Sequence, residues 1–204
     1  MALVYLIRHG QASFGADDYD VLSAAGHQQG KVVGDELRRR GVRPDVVVSG
    51  TLRRQRETAI AADMGLPPQE DARWNEYDHL GLVRAAGTPT SPREFQLTLD
   101  AALRTWVGGG DWQRFTGGVR AALTELFDGL GSGGTGLVFT SGGVIAAVCA
   151  EVWGLAAEGF VAVNRVAVNG GLTKLVRGRS GTSLVSYNDH AHFEGENREL
   201  LTYR

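Results

Sequence analysis

Three times along the chain a short apolar run stops at small or charged residues and gives way to a stretch with helical spacing. The first is Val4-Tyr5-Leu6-Ile7, which ends at Arg8-His9-Gly10-Gln11. The second is Pro44–Ser49, whose three consecutive valines suit a strand covered on both faces, followed by Gly50-Thr51 and a helix from Leu52 to about Met64. The third is Leu137–Thr140, followed by Ser141-Gly142-Gly143 and a helix from Val144 to Trp153. Strands alternating with helices require crossover connections. The reading is therefore an α/β fold, a three-layer α/β/α sandwich around a mostly parallel sheet, although the sequence itself does not repeat.

The remaining segments fill in this frame. Ser23 is the expected N-cap of a helix carried by Val32, Val33 and Leu37 to Arg40, with Gly41 ending it and His27 a partly exposed helix residue. After the break at Gly65–Pro68, Trp74 and Glu76 are expected on one face of an extended segment. Residues 77–115 lose the pattern and read as a small helical cap insertion over the site, including a helix from Arg93 to Val107. A further helix is expected over Trp112–Leu130. Asn164–Val168 and Leu172–Val176 suggest a hairpin around Asn169-Gly170-Gly171, and Ser183–Tyr187 a last strand. The whole of 1–204 is read as one domain bearing that cap.

Composition excludes several classes. A net charge of −2 on 204 residues argues against a nucleic-acid binder, and 43% hydrophobic residues suffice for a full core. The basic residues are nearly all arginine, to which no functional weight attaches. No stretch reaches the roughly 20 apolar residues of a membrane span, and no leader peptide is visible, so a cytoplasmic protein without membrane partners is expected. A lone cysteine, Cys149, inside the apolar run Val144–Val152 reads as a buried structural thiol.

Chemistry concentrates at the strand ends. In open α/β sheets ligands bind beyond the carboxyl ends of the strands, which is where Arg8 and His9 fall. A neutral imidazole there can attack an electrophile while a neighbouring guanidinium binds an anion, and Gly10 lets the backbone come close. Arg53, Arg54 and Arg56 open the second helix, where unpaired N–H groups and the helix dipole also favour an anion. Successive helical residues diverge by about 100°, so at most one or two of these three serve a site.

These motifs, in this order, resemble the histidine phosphatase superfamily, the phosphoglycerate-mutase-like fold. The resemblance rests on Leu6-Ile7-Arg8-His9-Gly10, on Leu22-Ser23-x-x-Gly26-x-x-Gln29, on Ser49–Ala59, on Glu76 and on Gly142-Gly143-Val144-Ile145. It implies a phosphomonoester hydrolase with a phosphohistidine intermediate on His9. Arg8 and Arg54 would clamp the phosphoryl group, Arg54 because it stands four residues before Thr58, and Glu76 would donate a proton to the leaving oxygen. Neither a metal nor another cofactor is implied. The substrate would be a small-molecule phosphomonoester or a phosphoprotein, and the oligomeric state stays open, a homodimer among the options.

Two departures accompany the resemblance. The family carries a second histidine before the late Gly-Gly, and here that position is Ser141. The loss of a charge-assisted hydrogen bond costs roughly 1.5 to 3 kcal/mol, about 10 to 150-fold in rate. Ser141 and Gly142 remain assigned to substrate binding, with His192 or His190 as a compensating cation. The departure keeps open a slowed enzyme or a non-catalytic phospho-ligand-binding protein. Mutases of the family have an asparagine where this chain has Gly15, and a longer insertion, which favours hydrolysis over phosphoglycerate-mutase-type phosphotransfer.

Overall fold

The computed structural model describes residues 1–13 and 20–203, so the loop that includes Gly15 lies largely outside the described residues. The elements run β1 (Ala2–Arg8), α1 (Ala24–Arg39), β2 (Val46–Ser49), α2 (Arg53–Ala62), β3 (Gln69–Glu70), α3 (His79–Ala86), α4 (Pro92–Trp106), α5 (Gly110–Gly129), β4 (Thr135–Thr140), α6 (Gly142–Trp153), α7 (Ala157–Val166), β5 (Leu172–Gly178) and β6 (Gly181–Asp189). One sheet has the order β3-β2-β4-β1-β5-β6. The first four strands in that order are parallel, and β5 and β6 are antiparallel to their neighbours.

Side chains alternate across the sheet. Val4 and Leu6 of β1 and Val138 of β4 join Trp74, Phe127 and Val148 in a cluster under α5 and α6. Tyr5, Ile7, Leu137 and Phe139 face the other way, onto Val33 and Leu37 of α1 and Ala59 and Ala62 of α2. Two buried layers explain why β1, β2 and β4 read as continuous apolar runs. A third cluster joins Tyr77, Val83, Leu99 and Leu103 to Ala146, Ala147 and Ala150 of α6 and to Phe160 and Val161 of α7. Through it, α3 and α4 are packed over one end of the sheet. Cys149 is fully buried, and burial pushes its thiol up to about 12.

Local chemistry sets the boundaries. Ser23 caps α1 by accepting from Gly26 N at 3.1 Å, and Gly41 takes the left-handed conformation just past its end. Pro92 stands in the first turn of α4 behind the N-cap Ser91.

Two expectations fail. Asn164–Val166 is the last turn of α7 rather than a strand, because Phe160 and Val161 anchor that helix in the third cluster. The hairpin is instead β5–β6. Trp74 and Glu76 do not share an extended face either. Asp71 accepts from Arg73 N and starts a 3-10 turn over Ala72–Trp74, which buries Trp74 in the core and lets the chain carry Glu76 elsewhere.

Candidate active site

The register of the sheet builds the site. Arg8 pairs with Thr140 and Ser49 with Phe139, so β1, β2 and β4 end at one level. His9 N donates to Thr140 O at 2.8 Å, which extends β1 to the histidine. Its carbonyl accepts from Asn169 Nδ2 at 3.1 Å. Gly10 N donates to Thr58 Oγ1, which donates in turn to Arg54 O, so one threonine ties the histidine loop to the helix that carries Arg54.

The expected reason for Gly10 needs refinement. It is not among the residues with positive φ, but a Cβ on it would overlap the Gly26 carbonyl, and one on Gly26 would overlap that of Gln11. The two glycines let α1 touch the loop backbone to backbone. Gln29 completes the brace: its Oε1 accepts from Gln11 N at 2.7 Å, and its Nε2 donates to Leu200 O and Thr202 Oγ1. The Leu22–Gln29 motif is therefore scaffolding.

Arg8, His9, Arg54, Glu76 and Gly142 line one cavity of about 240 Å³. His9 is 5% exposed and is held in one tautomer. Nδ1 lies 2.7 Å from Gly10 O, to which it donates, while Nε2 accepts from Arg54 Nε at 3.1 Å. Burial holds its pKa well below 6.5, and the charges of Arg54 and Arg8 act in the same direction. The ring is neutral at pH 7. Arg54 is itself buried and donates to Asp20 Oδ1 at 2.6 Å. Arg53 turns to Glu57 and Arg56 to Glu70, outside the site. Arg8 donates to Tyr203 O at 2.9 Å and to Ala167 O.

Glu76 meets the N-terminus of α6, its Oε2 accepting from Gly143 N at 3.2 Å. A Cβ on Gly143 would overlap both Glu76 Oε1 and the Tyr77 ring, so the glycine makes room for the carboxyl. Burial raises the pKa of Glu76; the Gly143 N–H, Arg54 and Arg8 oppose this without reversing it.

Three sequence assignments fall elsewhere. Ser141 is fully buried and does not line the cavity: its Oγ accepts from Gln55 Nε2 at 2.8 Å. His192 is turned away in a 3-10 turn, its Nε2 3.1 Å from Gly170 O and its ring against Phe193. His190 has its Nδ1 2.6 Å from Asn188 O and does not line the cavity either. The described histidine that joins His9 there is His79, first residue of α3, whose charge bears on His9. Tyr77, Asn164, Arg165 and Gln96 also line it. None of these carried a local sequence signal. Asp20 lay inside a polar loop with nothing to single it out. Among the described residues, no group of three or more His, Cys, Asp or Glu is placed to hold a metal ion, and no helix is long and apolar enough to cross a membrane.

Comparison with known proteins adds a family. The sequence model of the histidine phosphatase superfamily (branch 1) matches residues 4–190. A mycobacterial hydrolase is 25% identical, with a TM-score of 0.69 over 93% of this chain and 99% of that one. A mycobacterial glucosyl-3-phosphoglycerate phosphatase is 24% identical, with a TM-score of 0.66 over 93% and 99%. A phosphoserine phosphatase mutant from Entamoeba histolytica, solved with phosphoserine, is 16% identical, with a TM-score of 0.69 over 94% and 99%. A search of curated protein sequences finds no match to this chain.

Proposed function

The chain belongs to the histidine phosphatase superfamily, and from that premise we propose that it hydrolyses phosphomonoesters through a phosphohistidine on His9. The observation that carries the reading is the convergence of a neutral imidazole, two arginines and a carboxyl of raised pKa on one cavity. The phosphatases among its structural neighbours support the same reading.

In the proposed reaction the Nε2 lone pair of His9 attacks phosphorus. The Nδ1–H bond to Gly10 O holds the ring and steadies the positive charge that develops on it. Arg8 and Arg54 neutralise the three phosphoryl oxygens, which is most of what such a transfer asks of a protein. Arg54 exchanges its bond to Nε2 for the phosphoryl oxygens as the ester enters. Glu76, protonated, donates to the leaving oxygen. As a carboxylate it then takes a proton from the water that cleaves the N–P bond. The N–H groups at the start of α6, Gly142 included, lend their partial positive charge to the phosphoryl group.

Ser141 takes no direct part in this scheme, because its hydroxyl is occupied by Gln55 below the cavity. His79, which lines the same cavity, is assigned the part of an additional hydrogen-bonding ligand of the phosphoryl group. The proposal is tested by turnover of a phosphomonoester panel by the parent and by His9→Ala and His79→Gln: the first abolishes hydrolysis and the second slows it about tenfold. Unchanged turnover in His9→Ala overturns the reading.

A further inference from the structure

Asp100, near the middle of α4, is only 3% exposed. A carboxylate so buried needs partners, and it has two. Arg165 of α7 donates to Oδ2, and Gln96 Nε2 donates to Oδ1 at 2.5 Å. Both partners line the cavity that holds His9 and Arg54. About half of the Arg165 side chain is exposed, so Asp100 grips one part of the guanidinium and leaves the rest accessible. The proposed phosphoryl transfer uses none of these three residues.

Leu80, Phe95 and Leu99 also line the cavity and give it an apolar part. The site thus has a cradle for one anion, an apolar part, and a second set of planar donors held by a buried acid. We infer that Asp100 is a positioning residue that presents Arg165 and Gln96 to a second anionic group, and that the substrates are phosphomonoesters whose alcohol carries a carboxylate. A carboxylate fits better than a second phosphate. Pairing with Asp100 leaves Arg165 its fork of donors but little surplus charge, which suits a planar monoanion. This inference rests on the phosphatase reading of the cavity.

Two matched pairs of esters test it: phenyl phosphate with 4-carboxyphenyl phosphate, and ethyl phosphate with phosphoglycolate. Within each pair the members differ by one carboxylate. The parent is expected to favour the carboxylated member of at least one pair about tenfold or more in kcat/KM. Arg165→Ala and Asp100→Asn bring that ratio to within about threefold of unity, and Arg165→Lys restores part of it. A purely structural Asp100 would slow both members together and leave the ratio alone. An unchanged ratio in Arg165→Ala overturns the inference. Calorimetric binding of the same pairs to the His9→Ala protein separates the two readings. Tighter binding of the carboxylated ester, lost in the His9→Ala/Arg165→Ala protein, supports the second-anion site even if the parent hydrolyses neither ester. Equal binding, or none, overturns it.

Discussion

Arg54 Nε donates to His9 Nε2 at 3.1 Å, so the guanidinium rests on the lone pair that would attack phosphorus. The contact does two things. It requires a neutral ring, because a protonated Nε2 has no lone pair to offer, and it keeps the arginine's charge where a phosphoryl group would enter. Asp20, at 2.6 Å on another guanidinium nitrogen, holds that arginine from the side away from the imidazole.

Arg54→Ala is expected to lower kcat/KM by about 10³-fold or more, the scale on which an arginine stabilises a phosphoryl transition state. It also shifts the pH profile. His9 attacks as a neutral nucleophile, so the acid limb marks its protonation and lies well below pH 6.5 in the parent. Removing Arg54 takes away a charge that lowers His9, and the acid limb moves to higher pH. Glu76 loses a lowering influence as well, so the alkaline limb moves the same way. Rate profiles of parent and variant between pH 4 and 9 check both shifts.

Glu76→Gln tests proton donation. In kcat/KM, which reports formation of the phosphohistidine and not its hydrolysis, esters of aliphatic alcohols, which need protonation to leave, are expected to lose about 10² to 10⁴-fold. p-Nitrophenyl phosphate, whose leaving group departs as an anion, loses far less. The alkaline limb, set by ionisation of Glu76, disappears. Equal losses on both esters would remove Glu76 from this role.

Gly143→Ala is a test by geometry alone. The added methyl meets Glu76 Oε1 and the Tyr77 ring, so the carboxyl must move away from the α6 N-terminus. A displacement of about 1 Å at a proton donor costs on the order of 10²-fold in rate. The expected signature is a fall in kcat/KM on aliphatic esters with p-nitrophenyl phosphate less affected, as in Glu76→Gln.

Placing at position 141 the histidine that the resemblance implies is not expected to raise turnover. Ser141 is fully buried and bonded to Gln55, which also donates to Trp74 O at 3.0 Å. An imidazole there overfills the core and displaces Gln55, costing roughly 1 to 3 kcal/mol in stability. Ser141→His is therefore expected to lower the denaturation midpoint without raising turnover. A tenfold gain in rate would show that the pocket accepts the ring and that serine is a simple loss.

Much of this was legible from residue order because the relevant signals are local. An apolar run that ends in Arg8-His9 specifies a strand end, whereas Arg54 was singled out among three arginines only by the family's pattern, an arginine four residues before a threonine; the fold buries it, with Thr58 bonded both to Arg54 O and to Gly10 N. The segment Asn164–Val168 misled because Val166 and Val168 alternate as in a strand, whereas packing of Phe160 and Val161 carries α7 through Val166. His192 misled for a different reason: the turn after β6 carries it onto Gly170 and Phe193, away from the cavity. His79, Asp100 and Arg165 come from three separate helices: His79 and Arg165 share the lining of one cavity, and Asp100 holds Arg165. No spacing rule could have joined them.

The central claim is that His9 carries the phosphoryl group during turnover. Phosphohistidine survives alkali and decays in acid, so parent protein mixed with a ³²P-labelled phosphomonoester is quenched in alkali within milliseconds and digested for peptide mapping. The account predicts acid-labile label on the peptide containing His9, formed and lost at rates compatible with kcat and absent from His9→Ala. Steady hydrolysis with no label on that peptide, or label on another residue, would contradict it.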